Sequence, residues 1–136
     1  MHITLETDYA IRIVDYLARN PGRVGARTIA DKTYVTLRFS LKILRKLVAS
    51  GIARSYKGAQ GGYELARPLS EITLNDILET IEGPYVLNRC LREGTECNRV
   101  PDKRCPYHYL FEHISHQVQA ELMSVSIEKI VNEDIV

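Results

Sequence analysis

The chain has 136 residues, of which 45% are hydrophobic and 26% charged, and its net charge is +1 at pH 7. This is the length of one domain with a sizeable core, and the composition excludes a disordered, collagen-like or low-complexity chain. No apolar run approaches the ~18 residues of a membrane span, and the N-terminal segment lacks the basic flank and apolar run of a signal peptide. We therefore expect a cytoplasmic protein.

The small net charge hides an uneven distribution of charged residues. Residues 1–68 hold 12 Lys and Arg against 5 Asp and Glu, a net charge of +7. Residues 69–136 hold 6 Lys and Arg against 12 Asp and Glu, a net charge of −6. Positive charge confined to one half of the chain favours a polyanion-binding surface in that half.

Apolar spacing predicts three helices in the basic half. The first covers residues 8–18 and is capped by Thr4 or Thr7, and Asn20-Pro21-Gly22 should end it. A short second helix is expected over about 26–32, and a third runs from near Thr36 to Ser50. In the third helix, Phe39, Ile43, Leu44 and Leu47 fall at steps of three and four residues, and Gly51 suits the position after its end.

The next segment predicts a β-hairpin, because two short alternating runs, 52–56 and 63–66, bracket the glycine-rich residues 57–62. A fourth helix, Leu74–Glu82, begins with a Thr-x-x-Asp capping box. Residues 106–132 then form one long amphipathic stretch. A helix of this length needs an apolar surface beyond its own domain, and a second copy of the chain would supply it, so we expect a homodimer.

Helix, short helix, turn, helix and β-hairpin is the order of a winged helix-turn-helix, a mainly α fold with a small β-hairpin wing. The third helix would enter the major groove of double-stranded DNA, with Arg38 suited to a bidentate contact with guanine. Thr28 would bond a phosphate, and the glycines of the wing tip would let the backbone approach phosphate or the minor groove. The predicted DNA-binding residues are Thr28, Thr36, Arg38, Phe39, Lys42, Ser55, Tyr56, Lys57, Gly58 and Gln60.

Three cysteines, Cys90, Cys97 and Cys105, fall in one loop over residues 88–105. Thiolates bind soft or borderline metals, but the gaps of six and seven residues fit structural zinc poorly. Pro106 suits the first position of the long helix, which places Cys105 near its N-cap and His108 in its first turn. These two side chains could therefore face one metal. The same pair could be read as the nucleophile and base of an enzyme, although no orienting third group is implied, and a zinc-stabilised adaptor is a further alternative.

At these residues the chain resembles the winged-helix regulators that include IscR, NsrR and CymR. The resemblance covers Thr7 to about Val131. Its most specific part is the Gly-Gly-Tyr wing followed by Ile-Thr-Leu, and its matching segments are Thr7-Asp8-Tyr9-Ala10-Ile11-Arg12, Ile29-Ala30, Leu47-Val48-Ala49-Ser50-Gly51-Ile52, Lys57-Gly58-Ala59-Gln60-Gly61-Gly62-Tyr63-Glu64-Leu65 and Ile72-Thr73-Leu74. The resemblance implies a homodimer with a long C-terminal dimerisation helix, and a role in repressing or activating genes for iron–sulfur assembly, nitric-oxide defence, iron homeostasis or cysteine metabolism.

The resemblance also implies an iron–sulfur cluster held by the three cysteines. In some members the fourth ligand is a histidine three residues after the last cysteine, which matches His108 and supports a [2Fe–2S] cluster. In others it is an acid near the N-terminus of the partner subunit, which matches Asp8 and supports a [4Fe–4S] cluster. Both candidates are present in this chain, and [2Fe–2S] is favoured. The CymR branch implies an alternative, a metal-independent repressor controlled by a partner protein or by thiol oxidation.

Two regions follow from these predictions. Residues 1–68 form the winged helix-turn-helix segment. Residues 69–136 hold a linker helix, the cysteine loop (88–105) and the dimerisation helix (106–132) in one intertwined domain. We expect no enzymatic activity and no small-molecule substrate. Binding to the DNA operator would be controlled through the cysteine loop, whose ligation sets the angle between the two DNA-binding halves of the dimer.

Overall fold

A computed structural model describes residues 2–99 and 105–134, with two antiparallel strands and mostly helix otherwise. None of the helices in these ranges is long and apolar enough to cross a membrane. The predicted mainly α fold with a hairpin wing is confirmed. The elements in chain order are α1 (Leu5–Arg19), α2 (Ala26–Thr33), α3 (Leu37–Ala49), β1 (Ala53–Tyr56), β2 (Gly62–Leu65), α4 (Leu74–Glu82), α5 (Pro106–Ser124) and α6 (Ile127–Val131), with 3₁₀ turns at Leu69–Glu71 and Arg89–Leu91.

Threonine side chains begin three of the helices. The Thr4 and Thr36 hydroxyls each accept the backbone N–H three residues on, at 3.3 Å, at the starts of α1 and α3. At α4 the Thr73 hydroxyl accepts from the Asp76 N–H, and the Asp76 carboxylate accepts from the Thr73 N–H at 2.8 Å, which completes the predicted capping box. These local bonds satisfy N–H groups that have no partner within the helix.

One hydrophobic core joins both halves of the sequence. Its N-terminal part comes from α1, α2 and α3, and Ile72, Ile77 and Ile127 from the second half pack into the same cluster. Phe39 follows the apolar spacing of α3 but is 41% exposed. Ser40 lies in the core instead, since position 40 shares its helix face with the buried residues 43, 44 and 47.

The turn between α2 and α3 is short and tightly held. Tyr34 has left-handed backbone geometry, with φ of 58°, and its N–H bonds the carbonyl of Ala30 at the end of α2. Val35, the next residue, is buried, and its own N–H also bonds the Ala30 carbonyl at 3.1 Å. This turn therefore sets the angle at which α3 leaves α2.

The two strands of the wing pair only with each other within the sheet, from Ala53 opposite Leu65 to Tyr56 opposite Gly62. The tip of the wing is residues 57–61. An isolated bridge, outside the sheet, joins Val24 in the α1–α2 connection to Tyr63 on β2. The wing thus stands beside α3 and is attached to the helical part along one edge.

The continuous helix predicted over 106–132 is interrupted after Ser124. Val125 accepts a backbone bond from Leu74 at 2.9 Å, and Ile127 donates one to Ile72 at 2.8 Å. The Ser126 hydroxyl then caps α6 by accepting the N–H of Lys129. The break lets the buried Ile127 return to the core, which a straight helix would not allow.

Candidate DNA-binding face and cysteine cavity

The outer face of α3 is strongly basic. Arg38, Lys42 and Arg45 are exposed at steps of four and three residues, so they follow one face of the helix, and α3 contains no Asp or Glu. Phe39 and Leu41 lie between them and are 41% and 38% exposed. In the major groove, cationic side chains can bind phosphates and guanine, and apolar side chains between them can contact thymine methyl groups. Arg45 is outside the predicted set, although its position seven residues after Arg38 could have indicated it.

Two lysines of α3 are paired with one acid of α1. The Glu6 carboxylate accepts from the Lys46 ammonium at 2.6 Å and from the Lys42 ammonium at 3.4 Å. The hydrogen bond from Lys46 lowers the pKa of Glu6. The Lys42 side chain is 54% exposed and its bond is the longer one, so this ammonium is free to turn toward a phosphate, whereas Lys46 stays bound to α1.

Two threonines stand beside this basic face. The Thr36 hydroxyl accepts the N–H of Phe39, which leaves its own O–H to donate to a phosphate oxygen. Thr28 is exposed in the first turn of α2. Both threonines are placed to contact the phosphate backbone of DNA, and such contacts orient a protein on the duplex.

The predicted wing residues fall into two groups. Ser55, Lys57, Gly58 and Gln60 are exposed at or beside the tip. Tyr56 is half-buried, and its hydroxyl donates to the Glu64 carboxylate on β2. Tyr56 therefore lies at the end of β1, next to the tip, with its side chain held against β2 rather than exposed.

All four predicted metal ligands of the second half line one cavity of about 180 Å³, namely Cys90, Cys97, Cys105 and His108. Cys90 lies on the 3₁₀ turn, and Cys105 is the N-cap residue of α5 with Pro106 after it. His108 is half-buried one turn into α5. The fold thus brings three thiols and one imidazole to the same cavity. The first and last of these residues, Cys90 and His108, are eighteen positions apart in the sequence.

These side chains surround the cavity without forming a coordination sphere. Within residues 2–99 and 105–134, no three His, Cys, Asp or Glu side chains lie close enough together to hold a metal ion. The segment 100–104, which connects Cys97 to Cys105, lies outside the described residues. The donor set matches the chemistry of an iron–sulfur cluster, because thiolates are its usual ligands and histidine replaces cysteine in some centres.

The cysteine loop is fastened to α5 on both sides. Before the loop, the Leu87 N–H donates to the Ser115 hydroxyl at 2.9 Å, and the Gln119 amide donates to the Tyr85 carbonyl at 2.6 Å. After the loop, Cys105 leads directly into α5. A change in the conformation of the loop would therefore act on α5 first.

Asp8, the alternative fourth ligand, lies on α1. Its carboxylate pairs with Arg12 at 2.7 Å, and it is not among the residues that line the cysteine cavity of the same chain. The expected role of Asp8 is across a dimer, so it stays a prediction. His113 and His116 are exposed on α5.

Comparison with known proteins agrees with this geometry. Residues 3–133 match the Rrf2 family model, described as "Iron-dependent Transcriptional regulator". The chain is 30% identical over 125 residues to a protein of Aquifex aeolicus described as an HTH-type transcriptional regulator, covering 91% of this chain and 87% of that one. It is 27% identical over 135 residues to the HTH-type transcriptional regulator IscR of Photorhabdus laumondii, covering 97% and 80%. The structure of CymR, the global cysteine regulator of B. subtilis, is similar in fold, with a TM-score of 0.77, 24% identity and 98% coverage of both chains.

Proposed function

This chain belongs to the Rrf2 family of transcriptional regulators, and from that premise we propose that it is a homodimeric regulator whose binding to a DNA operator is controlled by an iron–sulfur cluster. The family consists of DNA-binding regulators rather than enzymes. The observation that supports cluster control is the cavity shared by the three thiols and His108. The relative named IscR is 27% identical to this chain over 135 aligned residues.

Operator binding in this proposal uses α3 and the wing. Arg38 reads a base edge in the major groove, and Lys42 and Arg45 bind phosphates on either side. Lys57 and the backbone around Gly58 contact phosphate or the minor groove. In a two-fold dimer, two copies of α3 would meet successive major grooves of a palindromic operator.

Control of binding uses the connections of the cysteine loop. A bound cluster would hold Cys90 and Cys105 to one another and would thereby hold the segment 85–88 and the start of α5. Without it, the described part of this region is still joined to α5 by the bonds to Ser115 and Gln119 and by the contact of Arg99 with the Tyr107 ring. Since α5 is the proposed dimer helix, the loop would then change the spacing of the two α3 helices.

The decisive experiment is purification under strict anaerobiosis, with a visible spectrum and assays of iron and acid-labile sulfide. We expect a coloured protein with equal amounts of iron and sulfide. His108→Ala should lose or shift the spectrum if a [2Fe–2S] cluster uses this ligand, and Asp8→Ala should do so if a [4Fe–4S] cluster uses the partner's acid. His113→Ala, an exposed position on the same helix, is the matched control.

Cluster control is tested separately from DNA binding with Cys90→Ala. We expect this variant to retain its fold but to bind operator DNA with altered affinity under anaerobic, iron-replete conditions. An unchanged affinity there, with the wild type carrying a cluster, would overturn control by the cysteine loop. Arg38→Ala should weaken binding to the operator far more than to random duplex, because it removes a base contact.

A second candidate is a regulator of the same fold that works without metal, through thiol oxidation or a partner protein. The observation in its favour is that no three of the described donors lie close enough together to hold a metal ion. Cys97 is exposed, which gives an oxidant access to it. A protein that stays colourless after reconstitution with iron and sulfide, and whose DNA affinity changes with peroxide, would establish this candidate instead.

A further inference from the structure

Arg23 lies in the connection between α1 and α2, outside the predicted DNA-binding residues, yet its side chain reaches the wing. Its guanidinium carbon is 3.6 Å from the centroid of the Tyr56 ring, which is a cation–π stacking distance. We infer that Arg23 is a positioning residue for DNA binding, which sets the direction of the wing tip by stacking on Tyr56. The inference rests on the proposed use of the wing in DNA binding.

The wing needs support from outside the hairpin. Its two strands have four residues each, and a two-stranded hairpin alone is marginally stable in water. On the β2 side, Val24 and Tyr63 exchange two backbone hydrogen bonds of 2.9 and 2.8 Å. The α1–α2 connection therefore lies along the outer edge of β2, and Arg23, next to Val24, carries this support across to β1.

Tyr56 is the point at which such support can control the tip. It is the last residue of β1, and Lys57 at the start of the tip follows it directly. The Tyr56 hydroxyl donates to Glu64 on β2, and the Arg54 guanidinium lies 3.5 Å from the same hydroxyl. The hydroxyl of Tyr56 is bonded to the strands, and Arg23 covers one face of its ring. These contacts hold the ring in place, and they hold the backbone that enters the tip with it.

The contact depends on the shape of the guanidinium as well as on its charge. The ion pairs and side-chain hydrogen bonds of the described residues include none made by Arg23, so the stack on Tyr56 is its principal contact. A planar guanidinium covers an aromatic face, whereas the ammonium of lysine is a compact point charge. Arg23→Lys should therefore keep the charge and lose most of the positioning.

The test is a double-mutant cycle on DNA affinity, using a duplex that the wild-type protein selects from a random library. Arg23→Ala should weaken binding roughly 3- to 10-fold, the range of a cation–π contact. Arg23→Lys should be nearly as weak. In a Tyr56→Leu background, Arg23→Ala should change affinity by less than about 2-fold, because the stacking partner is already absent. Arg19→Ala, which removes an exposed arginine paired with Asp15, is the matched control and should stay within about 2-fold of the wild type.

The opposite pattern would overturn the inference. If Arg23→Lys binds like the wild type and Arg23→Ala costs the same in both backgrounds, Arg23 contacts a phosphate directly. An Arg23→Ala protein that binds like the wild type also contradicts positioning.

A measurement without DNA separates this inference from the proposed function. Hydrogen exchange of the backbone amides in 57–62 should become faster in Arg23→Ala, while the amides of α3 exchange as in the wild type. If the wild type selects no duplex at all, the proposed function fails, and the exchange rates still decide whether Arg23 orders the wing. Unchanged exchange in 57–62 would contradict the inference.

Discussion

Glu82 is the residue through which α4 holds the beginning of α1. One of its carboxylate oxygens accepts the Thr4 N–H at 3.0 Å, the Thr4 hydroxyl at 2.8 Å and the Thr7 hydroxyl. Burial alone would raise the pKa of Glu82, but the bonds from Thr7 and Thr4 outweigh it and lower the pKa below the ordinary value of 4.5. The ionised carboxylate also lies at the N-terminus of α1, where a negative charge is favoured. Since Glu82 directly precedes the segment that leads to the cysteine loop, this contact joins the loop to the DNA-binding helices.

Replacing Glu82 by Gln should destabilise the protein by about 1 kcal/mol at neutral pH, because a charge-assisted acceptor at a partly exposed site becomes neutral. A carboxyl group whose pKa is lower in the folded protein stabilises it fully above the unfolded value near 4.5. That contribution is lost as the pH falls through the folded pKa. Urea denaturation should therefore show the largest difference between wild type and Glu82→Gln near pH 7, and a smaller one below pH 4.

Glu79→Gln is the matched control for this prediction. Glu79 is exposed on the same helix and accepts one bond from Asn75 at 3.2 Å, so its replacement should change stability by less than about 0.5 kcal/mol at either pH. A Glu82→Gln effect that stays constant into strongly acidic solution would show that the pKa of Glu82 does not contribute to stability.

At the scale of whole elements, the sequence predicts what local signals determine. Thr73 with Asp76 marks the start of α4, and Gly51 with its φ of 79° marks the end of α3, so both boundaries were predicted closely. The break at Ser126 depends on backbone bonds to Ile72 and Leu74, more than fifty residues away, and periodicity cannot show such bonds. For the same reason the spacing of the cysteines predicts a shared site, but it does not predict that no three of the described donors lie close enough together to hold a metal ion.

Phe39 and Ser40 show the same limit within one helix. Phe39 lies four residues before Ile43 and Ser40 lies three residues before it. Both spacings fit within the width of an apolar stripe, so either residue could be a core position. Hydrophobicity favours Phe39, but the ring packs edge-on against Tyr9 at a centroid distance of 5.8 Å and stays partly exposed. The partner on α1 decides the outcome, and the sequence of α3 does not contain that partner.

The attachment of the wing to the α1–α2 connection depends on a close approach at Gly62. A Cβ atom there would lie 2.6 Å from the Val24 carbonyl oxygen, and the φ of 142° is one that other residues rarely adopt. Gly62→Ala should therefore separate the wing from the α1–α2 connection, with a loss of roughly 2 kcal/mol in unfolding free energy. Amide exchange at Val24 and Tyr63 should rise, since these two residues share the backbone bonds.

Gly25→Ala provides the control for Gly62→Ala. Gly25 is also beside Val24, but its φ of −66° is ordinary, and a Cβ atom there would meet nothing within 4 Å. This variant should change stability by less than about 1 kcal/mol, because alanine restricts the unfolded chain but is a poorer N-cap residue than glycine at the start of α2. Equal destabilisation by both substitutions would mean that the loop tolerates no added carbon for some reason other than the contact at Gly62.

For the molecule as a whole, the surface of α5 bears on its proposed assembly. Tyr107 and Leu110 lie three residues apart on one face of α5 and are each 52% exposed, and Ser115 is the one fully buried residue among those described on this helix. Large apolar side chains grouped on one helix mark an interaction surface. We expect a second copy of the chain to cover them, so that sedimentation equilibrium gives twice the 15.5 kDa mass of the chain.

Leu110→Asp should convert this dimer to monomer at micromolar concentration, because a charge at a two-fold interface is buried twice. Asn132→Asp adds the same charge at an exposed position after α6 and should stay dimeric. The monomeric variant should also bind the selected duplex much more weakly and with about half the salt dependence, since one copy of α3 and one wing neutralise half as many phosphates. A wild-type protein that is monomeric, yet binds DNA with the salt dependence expected of a dimer, would contradict both the two-fold assembly and the recognition of two half-sites. The apolar face of α5 would then be left for a different partner.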